Sequence, residues 1–346
     1  MLKIGIIGAT GYTGSELVRL LTLHPKVNIT LLTSERQSGI KFKNVVPLIG
    51  DQIPDLVLQS CEVEKLIPQA DFFFCALPHG TSIPVVAGLV RAGKPVVDLS
   101  ADYRFQNLDT YEKWYEKHKE PEIVKLSVYG LAELYREKIR KARLVGNPGC
   151  YPTSALLPLI PLIKAGIIKL DSIIIDSKSG ASGAGKTPDP TLIFCEVNES
   201  IKAYKVGEHR HTPEIEEVLS DQVAKKIIVS FTPHLIPMTR GILTTIYFSP
   251  SKTVTTEDVL EILSKQYSKE PFVKVLEKGT LPTTAQVKGT NCCYIAAKVD
   301  QRAGRVIIVS VIDNLIKGAA GAAIQNMNIM NGWEEALGLP ITPLYP

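Results

Sequence analysis

Several features that would settle a function class at once are missing from these 346 residues. No apolar run is long enough to cross a bilayer, so no membrane partner is expected. No block of lysine and arginine occurs, and a formal charge of +4 is slight for this length, so nucleic acid is not an expected partner. The N-terminus lacks the charged head and small-residue cleavage site of a signal peptide, and a cytoplasmic location is expected. The six cysteines (Cys61, Cys75, Cys150, Cys195, Cys292 and Cys293) contain no C-x-x-C pair. A zinc site or disulfide framework is therefore not expected, and no metal is assigned. Internal repeats and low-complexity tracts are absent too. With 45% hydrophobic and 21% charged residues the chain is globular, and its length points to two domains.

What is present begins with a βαβ unit. Residues 2–8 form a short apolar run ending in glycine, as buried parallel strands do. Residues 15–21 are apolar at helical spacing, and a second strand is expected near 28–33. Strand-like runs at 71–76 and 94–99 flank a helical pattern over 83–92. Such alternation predicts a doubly wound parallel sheet with ligands at the strand C-termini. Residues 102–143 read as charged, Tyr-rich and irregular; a strand at 144–146, the sharp turn Asn147-Pro148-Gly149 and a proline-bearing helix over 152–164 follow. From residue 171 the rhythm changes. Strands at 173–177, 227–232, 243–248, 293–299 and 305–312, separated by long connections, suggest a mixed or antiparallel α+β domain. The expected class is α/β: a dinucleotide-binding domain over 1–147, an α+β domain over 148–313, and a segment 314–346, helical over 314–330, that returns to the first.

The first motif is Gly8-Ala9-Thr10-Gly11-Tyr12-Thr13-Gly14, directly after a strand and before a helix. Glycines let the backbone turn tightly and approach a pyrophosphate, while the helix N-terminus supplies amide donors and a favourable dipole. The spacing is G-x-x-G-x-x-G rather than the commoner G-x-G-x-x-G. At the end of the second strand, Ser34, Arg36 and Ser38 can hold a 2′-phosphate, which favours NADP; Glu35 is the residue that would suit NAD instead.

One cysteine has a special setting. Cys150 follows the Asn-Pro-Gly turn and stands at a helix entrance, where the dipole and free amides favour a thiolate. The same amides can stabilise the oxyanion of a tetrahedral intermediate. The other five cysteines read as small buried hydrophobes. A thiol nucleophile needs a proton partner, and His209-Arg210-His211 precedes Thr212-Pro213-Glu214, which reads as N-cap, N1 and N2 of a helix. His209 and His211 suit acid–base work there, and Arg210 suits an anion. His234 is a second candidate, and nearby Arg240 can grip a carboxylate or phosphate.

Gly180-Ala181-Ser182-Gly183-Ala184-Gly185-Lys186-Thr187 satisfies the P-loop pattern G-x-x-x-x-G-K-[ST]. A P-loop must run into a helix at its Lys-Thr, and Pro190 obstructs one here. A nucleotide hydrolase is therefore rejected, although Lys186 and the loop amides remain suited to an anion.

Together these segments closely resemble the N-acetyl-γ-glutamyl-phosphate reductases, the arginine-pathway branch of the aspartate-semialdehyde dehydrogenase-like family. The matching stretches are 8–16, 76–80, 98–104, 146–153, 179–186, 209–215, 233–242 and 314–326, in order along the chain. Gly-Asn-Pro-Gly-Cys-Tyr-Pro-Thr and His-Arg-His-Thr-Pro-Glu-Ile are specific to this branch. The resemblance implies NADPH-dependent reduction of an acyl phosphate through a Cys150 thioester, with His209 or His211 as acid/base. It further implies cofactor contacts from Pro78, Ser182, Gly183 and Asn314, and substrate contacts from Arg104, Asn147, Lys186, Arg210 and Arg240. A homodimer or homotetramer built through the second domain is implied as well. A longer, aminoadipate-type acyl phosphate stays open at this point, since one methylene discriminates by only about 1–3 kcal/mol. A non-catalytic NADP sensor is disfavoured by the joint presence of Cys150 and both histidines.

Overall fold

The N-terminal apolar run becomes β1 (Leu2–Ile7), and the glycine motif turns the chain into α1 (Tyr12–Leu21). The computed structural model describes residues 1–48, 50 and 52–344. Packing divides the chain into two units: Met1–Gly149 with Ala319–Leu339, and Cys150–Gly318 with the residues from Pro340.

In the first unit β2 (Val27–Leu32), β3 (Phe72–Cys75), β4 (Val96–Asp98), β5 (Ser127–Tyr129) and β6 (Leu144–Gly146) join β1 in a parallel sheet of order β2-β1-β3-β4-β6-β5. The order reverses between β1 and β3, so the loops leaving their C-terminal ends splay apart and open a crevice there. Both faces are covered, which explains why Phe72, Phe73, Phe74 and Cys75 are all buried. Helix α2 (Ser82–Arg91) packs on β4, and α3 (Ala132–Lys141) follows β5.

In the second unit the strands are β7 (Ile174–Gly180), β8 (Lys202–Ala203), β9 (Ser230–Ile236), β10 (Ile242–Phe248), β11 (Val273–Val275), β12 (Cys293–Asp300) and β13 (Arg305–Ile312). They form a mixed sheet of order β11-β12-β13-β10-β7-β9-β8. One face alternates inward through Ile175, Ser177, Phe231, Leu235, Thr244 and Ile246, beneath α4 (Cys150–Lys164), whose partners are α5 (Thr212–Val223) and α6 (Thr256–Tyr267). The opposite face, with Leu243, Thr245, Tyr247, Ile307 and Val309, is only half-buried.

Helix α4 carries Pro158 and Pro161 yet stays helical. Two interior prolines cost about 6 kcal/mol together. Six fully or nearly fully buried side chains, Leu156, Leu157, Leu159, Ile160, Leu162 and Ile163, return roughly 2 kcal/mol each, so burial wins. Pro161 cannot donate to the Leu157 carbonyl, and the Tyr267 hydroxyl of α6 donates to it instead.

The structure departs from expectation in several places. Residues 102–143 are not irregular: they hold β5, α3 and two short helical turns. Only Ala132, Glu133 and Ile139 of α3 are buried, too few to write a helical period into the sequence. The strand expected at 227–232 begins at Ser230 and runs through Pro233, which the two-residue edge strand β8 tolerates beside it. Strands β8 and β11 are too short to leave a pattern. The helix expected over 314–330 opens as a π-turn, Ile316–Ala320, and becomes α7 (Gly321–Met330) only afterwards. Residues 345–346 of the expected C-terminal segment lie outside the described residues.

Within the first unit α7 packs on α3 and α1. Asn326 donates to the Gly130 carbonyl (2.9 Å), Gln325 to Glu133 (3.1 Å), and His24 pairs with Asn328 (3.1 Å).

The loop after β4 is built on buried charge. Asp102 accepts from the Gly80 amide (2.8 Å), Ser82 Oγ (2.6 Å) and the Tyr111 hydroxyl (2.8 Å). Asp98, fully buried beside it, accepts from Ser100 Oγ (2.6 Å), and burial followed by the Asp102 carboxylate pushes it up to about 7. The sign follows directly. Unfolded Asp98 loses its proton near 3.8 and folded Asp98 keeps it to about 7, so stability falls as pH rises through that window. Asp98→Asn is expected to gain stability relative to wild type between pH 4 and 7, read as a widening Tm difference; a difference flat with pH would contradict a buried neutral acid here.

Candidate active site

The candidate site residues fall into two clusters, one in each unit. In the first, β1 ends at Gly8, whose φ is +82° and whose Cβ, if present, would stand 2.6 Å from the Ala76 carbonyl oxygen. A Cβ on Gly14 would stand 2.2 Å from the Gly8 oxygen. Both glycines are therefore required by the turn itself. Gly11, the N-cap of α1, is different: the nearest atom to its hypothetical Cβ is 3.9 Å away, and its φ of −72° suits any residue. The space beside it is open, above a helix end whose first turn carries no carboxylate. That combination fits a pyrophosphate on the amides around Gly11, Tyr12 and Thr13.

Thr10 Oγ1 and Ser34 Oγ are 3.0 Å apart, joining the glycine loop to the end of β2. Arg36 and Ser38 are exposed there. Glu35, the residue that would suit NAD, accepts a hydrogen bond from the Cys61 amide (2.6 Å). Pro78 is exposed in the loop after β3, the loop that also supplies the Ala76 oxygen against Gly8. Arg104 and Asn147, expected at the substrate, both make hydrogen bonds to backbone carbonyls around the turn that precedes Cys150. Arg104 is buried and donates to the carbonyls of Asn147 (2.7 Å) and Leu99 (2.9 Å). Asn147, 1% exposed, donates to the carbonyls of Asp98 and Ala319 and accepts from Asn326 Nδ2 (3.1 Å). Both hold the turn that leads to the cysteine.

In the second unit Cys150 is the first residue of α4, two residues earlier than the expected start, and is half-buried. Pro152 falls in the first turn, where a missing N–H costs nothing. No carboxylate stands in that turn. A Cβ on Gly318 would come 2.7 Å from Cys150 Cβ, so only glycine lets the π-turn pass behind that residue. By contrast, burial pushes the thiols of Cys75 and Cys292 up, and burial with Glu35 pushes Cys61 up to about 11. They are inert.

His209 and His211 lie together, ring centroids 4.8 Å apart, with Tyr151 edge-on to both at 5.4 and 5.8 Å. His211, not Thr212, is the N-cap of α5, with helical backbone angles and no side-chain capping bond, and Thr212 is the first helical residue. The His211 amide donates to His209 Nδ1 (3.1 Å), which leaves the proton of a neutral His209 on Nε2. Nε2 faces the Tyr204 hydroxyl at 3.5 Å, and that hydroxyl is 3.0 Å from the Tyr151 hydroxyl. Burial, reinforced by the Lys205 and Arg210 cations, pushes His209 down to about 4. Burial also raises both tyrosines, with a smaller contribution in the same direction from Cys150. Tyr151 and Tyr204 were missed from the sequence; Tyr151 adjoins Cys150, whereas nothing local marks Tyr204.

Ser182, Gly183 and Asn314 also meet. Asn314 Nδ2 donates to Ser182 Oγ (2.9 Å), Asn314 Oδ1 accepts from the Gly241 amide (2.7 Å), and Gly183 lies against Ser179. Arg240 faces Asp313 at 3.7 Å. Lys186 and Arg210 are exposed, and no helix begins at Lys186-Thr187, the next being a single 3-10 turn at Pro190–Leu192, so the P-loop pattern has no P-loop structure. His234 pairs with Asp176 at 3.2 Å on the half-open sheet face.

Residues 3–142 match the family described as semialdehyde dehydrogenase, NAD binding domain, and residues 150–314 its dimerisation domain. The N-acetyl-gamma-glutamyl-phosphate reductase of Pelobacter propionicus is 52% identical over 347 aligned positions, covering 100% of each chain. The chain belongs to the N-acetyl-γ-glutamyl-phosphate reductase family. The reductase of Desulfotalea psychrophila is 49% identical with the same coverage. Aspartate semialdehyde dehydrogenase II of Vibrio cholerae, solved with ASA, shares the fold at a TM-score of 0.74 and 17% identity, covering 96% of this chain and 98% of that one. The Candida albicans enzyme, solved with NADP, gives 0.71 at 20%, covering 96% and 99%. The chain is thus an oxidoreductase with an NAD(P)-binding domain.

The glycines of this family member make separable claims. Gly11→Ala is expected to fold normally, gaining about 0.5 kcal/mol from the unfolded chain, while KM for the dinucleotide rises. Gly14→Ala is expected to lose about 1–3 kcal/mol through its backbone clash. Thermal melts and cofactor titration read the two effects; an unchanged KM in Gly11→Ala would place the pyrophosphate elsewhere.

Proposed function

We propose that the chain reduces N-acetyl-L-glutamyl 5-phosphate with NADPH, giving N-acetyl-L-glutamate 5-semialdehyde and phosphate, a step of arginine biosynthesis. The observation that carries this reading is Cys150: a half-buried thiol on the first residue of α4, with no carboxylate in that turn and next in the chain to Tyr151, whose ring meets those of His209 and His211 edge-on. It is supported by relatives of about half-identical sequence over full length that bear this reductase name.

The Cys150 thiolate attacks the acyl carbon, the carbonyl becomes an oxyanion, and collapse expels phosphate to leave a thioester. The α4 amides stabilise the oxyanion without reorganising. NADPH, when bound, supplies the hydride that reduces the thioester carbon. The resulting hemithioacetal oxyanion expels the Cys150 thiolate and releases the aldehyde. Charge and atoms balance: one acyl phosphate, one hydride and one proton give one aldehyde and one hydrogen phosphate.

The two histidines divide the labour. With Nδ1 engaged and its ring neutral, His209 serves as a hydrogen-bond donor through Nε2, which leaves proton transfer to His211. Arg210, Lys186 and Arg240 are the cations for the substrate's anionic groups. Gly8, Thr10, Gly11, Tyr12, Thr13, Gly14 and Pro78 hold the dinucleotide, joined by Ser182, Gly183 and Asn314. Preference for NADP rests on Glu35 being taken up by the Cys61 amide, beside Ser34, Arg36 and Ser38. A homodimer through the half-open face of the β7–β10–β13 sheet would cover Leu243, Tyr247 and Val309. Among the described residues no cysteine is in a disulfide, which suits the reducing cytoplasm.

Rates with N-acetylglutamyl phosphate and an aminoadipate-type acyl phosphate test the reading. The former is expected to win by roughly 10–200-fold in kcat/KM, and Cys150→Ala to fall to background. The opposite preference would reassign the substrate, and full activity in Cys150→Ala would end the mechanism.

A further inference from the structure

A fully buried carboxylate that the mechanism does not use lies at the end of β13. Asp313 is 0% exposed. Such a charge persists only when its lone pairs are met by directed donors. Its Oδ1 accepts from the amides of Leu315 (2.9 Å) and Ile316 (3.2 Å), and Oδ2 from the amide of Gly289 (2.8 Å). Gly289 has φ +81°, a left-handed turn that aims its N–H at the carboxylate. The Asp313 carbonyl accepts from the Gly318 amide (2.9 Å), and Gly318 is the residue pressed against Cys150. With both oxygens bound to backbone, the carboxylate cannot turn.

Arg240 Nη1 stands 3.7 Å from Asp313 Oδ2, and the Arg240 side chain is 26% exposed. These two atoms attract as an ion pair. The backbone is fixed as well. The Gly241 amide donates to the side chain of Asn314, next to Asp313, and a Cβ on Gly180 would meet the Arg240 amide nitrogen at 2.8 Å.

The geometry points to Asp313 as a positioning residue for Arg240, fixing the guanidinium from the same turn that backs Cys150, so that it meets an anionic group of the substrate already aimed. This rests on the acyl-phosphate reading above. It makes one residue answer for two placements: the thiol's backing through Gly318, and the anion holder through Arg240.

Steady-state kinetics on full-length protein test it, with wild-type turnover of N-acetylglutamyl phosphate measured first. Absence of that turnover sinks the functional reading, whereas the following cycle bears on Asp313 alone. Asp313→Asn keeps shape and an acceptor but loses the charge. KM for the acyl phosphate is expected to rise about 10-fold or more, the scale of a lost charged contact, with KM for NADPH nearly unchanged. In an Arg240→Ala background the same substitution is expected to add nothing to KM. An unchanged KM in Asp313→Asn, or penalties that multiply in the double variant, would overturn the proposal. Should Asp313→Asn not fold, Arg240→Ala assayed with added guanidinium chloride decides instead. Recovery of KM supports a carboxylate built to seat a guanidinium, and no recovery overturns it.

Discussion

The contact between Cys150 and Gly318 is the constraint on which the second unit's chemistry depends. A helix can present its first residue to a reacting group only if nothing else occupies that end. Here the chain that leaves β13 passes behind Cys150 in a π-turn, at a distance that excludes even a methyl group. The wider π-turn is held at its start by Asp313, whose side chain and carbonyl together accept the amides of Leu315, Ile316 and Gly318. Below α4, the buried chain Ser154–Thr244–Ser177, with steps of 2.7 and 2.8 Å, ties the helix to β10 and β7. The thiol is thus fixed from behind and from beneath, while its own first turn carries no negative charge.

The histidine cluster illustrates how burial sets a role. A solvated imidazole titrates near 6.5 and can carry a proton either way. His209, enclosed by Tyr151, Tyr204, Phe231 and His211, is held neutral to about pH 4. Its folded value lies below the unfolded one, so it contributes stability above about pH 6.5 that is lost as pH falls toward 4. A ring that resists protonation and has one nitrogen already engaged is suited to donating a hydrogen bond of fixed direction. Tyr151 and Tyr204, raised by burial, likewise remain neutral donors.

Legibility in the sequence followed the length over which a pattern repeats. Strands β1, β2, β3, β10, β12 and β13 each bury enough apolar residues to announce themselves, and the glycine motif sits where strand and helix patterns meet. Strands β8 and β11 span two and three residues, below any period, and α3 hides because its partner α7 lies nearly two hundred residues away in the chain. At the site, Cys150 and the histidine pair were readable because turn and cap residues flank them. Tyr204 was not, since its place follows from β8 pairing with β9, a tertiary event. The bonds that Arg104 and Asn147 make to backbone carbonyls were not legible either, since a motif does not say which backbone groups its charged and amide side chains also serve. Sequence names the residue type and the motif; only packing says which partner takes it.

The most direct test of the central claim is intact-protein mass spectrometry after mixing the enzyme with N-acetylglutamyl phosphate in the absence of reductant. A covalent acyl adduct that maps to Cys150 and disappears when NADPH is added is expected. An unmodified Cys150 under conditions of demonstrated turnover, or an adduct on another residue that is chemically competent, would contradict it.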